Sequence, residues 1–254
     1  MSDLTGKVAV VTGASRGLGR DVAEALAARG ARVAAVSRSA ERFGADVGRP
    51  AEVDQLKQQV EAALGLPDVL INAAGVFGPV QLIKNSDPAR WIETLMVDAV
   101  GPYLTCRAFV GGMLEKGWGR IVNVTSAASL HPPGPLSSAY GTAKAALNQM
   151  TRHLAAELEG TGVTANVIHP GDVKTAMWAD IRDQVAELGP EADAYRAWVD
   201  WVEETGGDPP GKAVDLVLRI LDSDVHGQFL WVEDPLQAPI PSWGEGAEAQ
   251  PWRR

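Results

Sequence analysis

Tyr140 and Lys144 stand four residues apart in "AYGTAKAAL", at the head of a stretch with helical apolar spacing. Side chains four apart on a helix project from one face. A phenol with a pKa near ~10 is a sluggish proton carrier at neutral pH. An ammonium beside it favours the phenolate and lowers that value, so the pair is a candidate general acid and base. A surface tyrosine and lysine at a helix start carry the same spacing, and the pair alone does not separate the two readings.

A second candidate lies near the beginning of the chain. "VVTGASRGLGR" places Gly13, Gly17 and Gly19 directly behind a short apolar run. Glycine permits positive φ and removes the Cβ that blocks close approach. A phosphate at a strand-to-helix turn can meet free backbone N–H groups and the positive end of the helix dipole. The spacing is G-x-x-x-G-x-G rather than G-x-G-x-x-G, and a tight, closely packed turn would also account for it.

The elements needed to hold these groups alternate along the chain. "KVAVVTG" reads as a strand buried on both faces, and "GRDVAEALAARGA" as a helix that ends at Gly30. "RVAAVSR", "PDVLINAAG", "GRIVNVTS" and "VTANVIHPG" are further strands. Helical spacing fills 51–65, 88–117 and 139–162 between them, the second as one long helix. Strands alternating with such helices predict crossover units on a parallel sheet covered on both faces, a doubly wound α/β fold. Residues 175–207 read as helical pieces rich in tryptophan, "DPPGKAVDLVLRIL" as a helix and "GQFLWVED" as a last strand. No linker divides two cores, so 1–254 is expected to be one domain, with 242–254 loosely held.

Composition excludes several partners. The chain has 254 residues, 46% hydrophobic and 22% charged, with a net charge of −9. That balance argues against a basic face for nucleic acid. No apolar stretch approaches a bilayer span and the N-terminus has no signal-like core, so no membrane association and a cytoplasmic location are expected. The single cysteine, Cys106, cannot form an internal disulfide and fits a reducing compartment. His153 and His226 lack companions at metal-ligand spacing, His169 precedes "PG" as a packing residue, and His131 lies in a loop. No metal site is expected.

In chain order, T-G-x-x-x-G-x-G at 12–19, "NAAG" at 72–75, Ser126 at a strand end and Y-x-x-x-K at 140–144 resemble the short-chain dehydrogenase/reductase family. The resemblance is close over 4–176 and holds only in outline beyond. It implies a Rossmann-type fold, a hydride moved between a nicotinamide cofactor and a small-molecule carbonyl or alcohol, and a homodimer or homotetramer. It implies Tyr140 as general acid/base, Lys144 assisting it and holding the nicotinamide ribose, and Ser126 holding the substrate oxygen. For the cofactor it implies Gly13, Ser15, Arg16, Gly17, Leu18 and Gly19 at the pyrophosphate, and Asp46 and Val47 at the adenine. Asn72, Ala73, Ala74 and Gly75 fall on the adenosine side, and Pro170, Gly171, Val173 and Thr175 on the nicotinamide half.

Four departures from the family pattern matter. Asp98 stands 28 residues before Ser126, where the family usually carries asparagine. An ionised aspartate accepts but cannot donate, and near Lys144 it opposes the lowering of the tyrosine pKa. Ser126 to Tyr140 is one residue longer than the family spacing. The chain between the second strand and "FGADV" is too short for a full helix, leaving 43–47 as a brief third strand. The segment "WVEDPLQAPIPSW" replaces the frequent glycine-rich close.

Where NAD-preferring relatives place an acid, this chain has Ser37 followed by Arg38, with Arg16 in the glycine loop. Two guanidinium groups suit a 2′-phosphate, which favours NADP(H), with NAD(H) as the alternative. Residues 176–207 occupy the place of the substrate lid, where Met177, Trp178, Trp198 and Trp201 either form an apolar wall or fix the lid to the core. Two readings follow: an NADP(H)-dependent carbonyl reductase or alcohol dehydrogenase, and a nucleotide-binding relative with little turnover.

Overall fold

A computed structural model describes residues 3–130 and 134–232. Six parallel strands run through it: β1 (Val8–Thr12), β2 (Arg32–Val36), β3 (Val69–Asn72), β4 (Gly119–Val124), β5 (Val163–His169) and β6 (Phe229–Trp231). Their order is β2-β1-β3-β4-β5-β6, with Val10 opposite both Ala34 and Leu70. Every residue of β1 and β5 is buried, as parallel strands covered on both faces must be.

Eight helices supply the cover: α1 (Gly17–Ala28), α2 (Pro50–Leu64), α3 (Pro88–Leu95), α4 (Gly101–Lys116), α5 (Ser138–Leu158), α6 (Ala176–Ala186), α7 (Asp193–Thr205) and α8 (Pro210–Leu221). Leu26 of α1 and Leu216 and Ile220 of α8 fill the core on one face of the sheet. Leu56 of α2, Phe109 of α4 and Leu154 of α5 fill the other. A third apolar cluster lies under α6 and α7 and includes Phe77, Tyr140 and Trp178. Helices α6 and α7 are thus anchored on the side chains that border the site.

The chain leaves β1 outward to β2 and then returns to β3 on the opposite side of β1. That reversal opens a crevice beyond the carboxyl ends of β1 and β3, the place where doubly wound sheets bind ligands.

Two expectations are corrected. Residues 43–47 form no strand: one parallel bridge, Ser37 to Gly44, replaces it. With so short a connection, Phe43 and Ala45 bury their side chains against the core without extending the sheet. The helix expected over 88–117 is interrupted by a π turn at Met96–Val100, in which the Gly101 N–H bonds the Met96 carbonyl five residues back. Pro102 has no N–H to offer the Asp98 carbonyl four residues before it, so the α-helical ladder cannot run through this point. The loosely held tail expected at 242–254 lies outside the described residues, as does His131.

Candidate active site

The glycine loop is shaped by contacts that exclude any larger residue. Gly13 has φ +69°, and a Cβ there would stand 2.7 Å from the Ala74 backbone N. A Cβ on Gly19 would stand 2.5 Å from the Gly13 carbonyl oxygen. Thr12 Oγ1 accepts the N–H groups of both Ala73 and Ala74 at 3.2 Å, which joins the ends of β1 and β3. Helix α1 begins at Gly17 with no side-chain cap and no acidic residue in its first turn. Its first N–H groups and its positive dipole end are left for an anion. The cradle therefore fits a pyrophosphate. Arg16 and Arg38 are exposed beside it and make no ion pair among the described residues.

Ser126 caps a short 3₁₀ turn after β4, its Oγ accepting the Ala128 N–H at 3.2 Å. The preceding Thr125 is tied to β5 through the Ile168 carbonyl at 2.8 Å and to α5 through Asn148 at 2.6 Å. Tyr140 and Lys144 occupy the first turns of α5, with the ammonium 5.4 Å from the phenol ring centroid. Lys144 Nζ donates to the Val124 carbonyl at 3.0 Å and lies 3.0 Å from Asp98 Oδ2. Asp98 is 0% exposed, held by the π turn behind Gly75, and its Oδ1 accepts the Val76 N–H at 2.8 Å. The Lys144 ammonium is thus the partner of the buried Oδ2.

These groups set one another's charge. Burial pushes the Tyr140 phenol above its usual range; Lys144 and the Ser126 hydroxyl oppose that, and Asp98 adds to it. Burial alone would lower Lys144, but the Asp98 carboxylate and the Tyr140 oxygen hold it above the usual ammonium value. Burial likewise pushes Asp98 up, against the pull of Lys144 and the Val76 N–H. The lowered tyrosine expected from the Tyr140–Lys144 spacing is therefore corrected: the ammonium does lower the phenol, but burial, with Asp98 adding to it, outweighs the ammonium.

One cavity of about 340 Å³ collects most of the singled-out residues. Gly13, Ser15, Arg16, Gly17, Leu18 and Gly19 line one end, with Ser37, Arg38, Asp46 and Val47 beside them. Ala73, Ala74 and Gly75 line the floor, and Ser126, Tyr140 and Lys144 the inner wall. Pro170, Gly171, Val173 and Thr175 close it from β5. Two residues stand outside. Asn72 is 2% exposed, donating to Asn123 Oδ1 at 2.8 Å and accepting from Thr105 at 2.7 Å, so its amide braces β3 against β4 and α4. Asp98 acts only from behind Lys144.

The family model described as short chain dehydrogenase matches residues 7–186. The chain belongs to the short chain dehydrogenase family. Its curated relatives are dehydrogenases and reductases acting on alcohol and carbonyl groups, and the chain is an oxidoreductase of that family. A short chain dehydrogenase of Pseudocercospora fijiensis (strain CIRAD86) is 34% identical over 69% of this chain, which spans 62% of that relative's length. The (2S)-[(R)-hydroxy(phenyl)methyl]succinyl-CoA dehydrogenase subunit BbsD of Thauera aromatica is 34% identical over 89% of this chain and 94% of its own. The solved structure of a variant actinorhodin polyketide ketoreductase with NADPH superposes with a TM-score of 0.79 at 27% identity, covering 91% of this chain and 97% of that one.

In this short chain dehydrogenase the lid helices α6 and α7 bring Met177, Trp178 and Trp198 to the cavity. Trp201 does not join them: it is 46% exposed, and that part of the expected wall is corrected. Among the other lining residues are Phe77, Asp172 and His169. Phe77 lies two residues past "NAAG", where a lone aromatic gives no signal; its ring sits 4.6 Å from that of Tyr140. Asp172 falls inside "PGDVKT" between residues that were singled out. His169 was read as packing, and it does pack against Trp231, but it also faces the cavity, with Nδ1 accepting the Ala127 N–H at 3.3 Å. Among the described residues no cluster suits a metal ion, and no helix is long and apolar enough to cross a membrane.

Proposed function

We propose that this short chain dehydrogenase is NADP(H)-dependent and moves a hydride between the nicotinamide and a carbonyl or alcohol, with Tyr140 as general acid and base. The observation that carries this reading is the convergence of Ser126, Tyr140 and Lys144 on the same cavity that the glycine cradle enters. Bound nicotinamide supplies or takes up the hydride. The residues of 13–19 would hold the pyrophosphate by backbone N–H groups, and Arg16 and Arg38 the 2′-phosphate. In reduction the Tyr140 phenol gives its proton to the substrate oxygen while Ser126 donates a hydrogen bond to the same atom. In oxidation the phenolate takes that proton, and the Lys144 ammonium stabilises the charge it then carries. The same reading places the enzyme in the cytoplasm as a homodimer or homotetramer, for which half-exposed Tyr103 and Leu114 on α4 offer apolar contact.

The test is titration with NADPH and, separately, NADH, followed by quenching of the protein's own tryptophan fluorescence, then turnover of carbonyl compounds. Tight NADPH binding, weak NADH binding and turnover are expected. The second reading, a nucleotide-binding relative with little turnover, draws on the Asp98–Lys144 ion pair, which occupies the lysine. NADPH binding without turnover of any carbonyl would favour it. A folded sample that binds neither nucleotide removes both readings.

A further inference from the structure

We propose that the substrate is an uncharged compound whose carbonyl or carbinol bears an aryl or arylmethyl group, and that Phe77 is the residue that selects it; this rests on the hydride-transfer reading above. The phenol of Tyr140 fixes where the reacting oxygen lies, so what surrounds Tyr140 defines the rest of the substrate. Phe77 packs against the Tyr140 ring with centroids 4.6 Å apart and planes inclined by 31°, and Tyr195 stands edge-on to Phe77 at 6.1 Å. Met177, Trp178 and Trp198 come down from the lid on the same cavity. Rings inclined and offset in this way receive a further ring by stacking or edge contact, and a thioether adds favourable sulfur–ring contact.

The charges point the same way. Among the described lining residues the cations are Arg16 and Arg38 at the glycine end, and Lys144, already paired with Asp98 at 3.0 Å. His169 is engaged in the wall, its Nδ1 on the Ala127 N–H at 3.3 Å and its ring edge-on to Trp231. Lys174 and Arg182 approach the Trp178 ring at 5.1 and 5.2 Å, but each is spent on a carboxylate, Glu203 and Asp183. Asp172 contributes a negative charge to the same cavity. A substrate carboxylate or phosphate near Tyr140 would meet no free cation there and would lose its hydration uncompensated.

Gln184 makes the aromatic wall a built feature. From α6 its Oε1 accepts the Val80 N–H at 3.1 Å while its Nε2 donates to the Gly78 carbonyl at 3.3 Å. Both partners belong to the loop that carries Phe77, so lid and loop are held in one arrangement.

The experiment compares three methyl ketones of similar intrinsic reactivity with NADPH: phenylacetone, cyclohexylacetone and 3-oxobutanoate. The expected order of kcat/KM is phenylacetone first, with 3-oxobutanoate lower by about a hundredfold, and cyclohexylacetone between them. Phe77→Leu keeps apolar bulk without a ring face. It should lower the phenylacetone-to-cyclohexylacetone ratio of kcat/KM by about tenfold, the scale of one aromatic contact, and an unchanged ratio overturns the role of Phe77. Trp198→Leu, on a half-exposed lid position, gives the same comparison if Phe77→Leu does not fold. A preference for 3-oxobutanoate, or indifference to its charge, overturns the substrate class and leaves the dehydrogenase reading standing. Binding of NADPH with no turnover of any of the three also overturns the substrate class, and the hydride-transfer reading falls only if the wider range of carbonyl compounds is likewise not turned over.

Discussion

Replacing Asp98 by asparagine removes one buried negative charge from behind Lys144 and keeps the shape and the acceptor for the Val76 N–H. The ring centroid of Tyr140 is 5.4 Å from Lys144 Nζ, and Nζ is 3.0 Å from Asp98 Oδ2, so the carboxylate is at most about 8.4 Å from the ring. At an effective dielectric of about 20 that separation corresponds to about 2 kcal/mol between carboxylate and phenolate. The phenol oxygen lies at most about 11 Å away, which corresponds to about 1.5 kcal/mol. At 1.36 kcal/mol per unit, Asp98→Asn should lower the Tyr140 pKa by about 1–1.5 units. The assay is kcat/KM against pH for oxidation of a secondary alcohol with NADP⁺, where the rising limb reports loss of the phenol proton. That limb should move to lower pH by the same amount, with a thermal melt showing that the variant is folded. Superimposed limbs would refute the electrostatic reasoning. A shift to higher pH would refute it too, since it means that the buried ammonium, deprived of its carboxylate, loses its proton first.

The glycine loop, Arg38 and buried Asp68 carry three further expected outcomes. Arg38→Asp places a carboxylate where a 2′-phosphate would bind, so NADPH affinity should fall at least tenfold while NADH affinity rises, read by fluorescence titration. Gly13→Ala forces a Cβ to within 2.7 Å of the Ala74 backbone at φ +69°, so nucleotide quenching should be lost and the melt should fall by at least the ~1–2 kcal/mol of an unfavourable left-handed residue. Asp68 is buried, and burial alone would raise its carboxyl; the Val8 N–H at 2.9 Å and the Lys116 and Lys7 ammoniums at 3.0 and 3.4 Å hold it below the usual range. A lowered folded-state value contributes stability that is present at neutral pH and lost as pH falls through it. Asp68→Asn should therefore lose about 1.5–3 kcal/mol at pH 7 in denaturant melts, a deficit that shrinks as pH falls through the lowered carboxyl value.

Much of this protein was determined by residue spacing alone. The alternation of apolar runs with helical stretches specified a parallel sheet with helices on both faces, because a strand buried on two sides and a helix buried on one carry different periods. Gly13, Gly17 and Gly19, Ser126, and the Tyr140–Lys144 pair are signals of the same local kind. Each depends on a short stretch of backbone, and the structure brings all of them to one cavity. The interrupted helix was half legible: Pro102 is visible in the sequence, but where the ladder would yield was not.

What tertiary structure alone decided concerns contacts between distant segments. The π turn that aims Asp98 at Lys144 joins residues 46 positions apart, and burial of Tyr140, with Asp98 adding to it, reverses the net direction of the shift that the helix spacing predicts. Asn72 could have faced a ligand or the core, and the partners that decide it, Asn123 and Thr105, lie on β4 and α4. Of the tryptophans at 176–207, Trp178 is buried and Trp201 is half exposed, a difference set by how α6 and α7 pack on Phe77, Val80 and Tyr140. Phe77 became visible only when Tyr140 appeared beside it. Charge and packing act through distance in space, and chain spacing determines that distance only within a helix or strand.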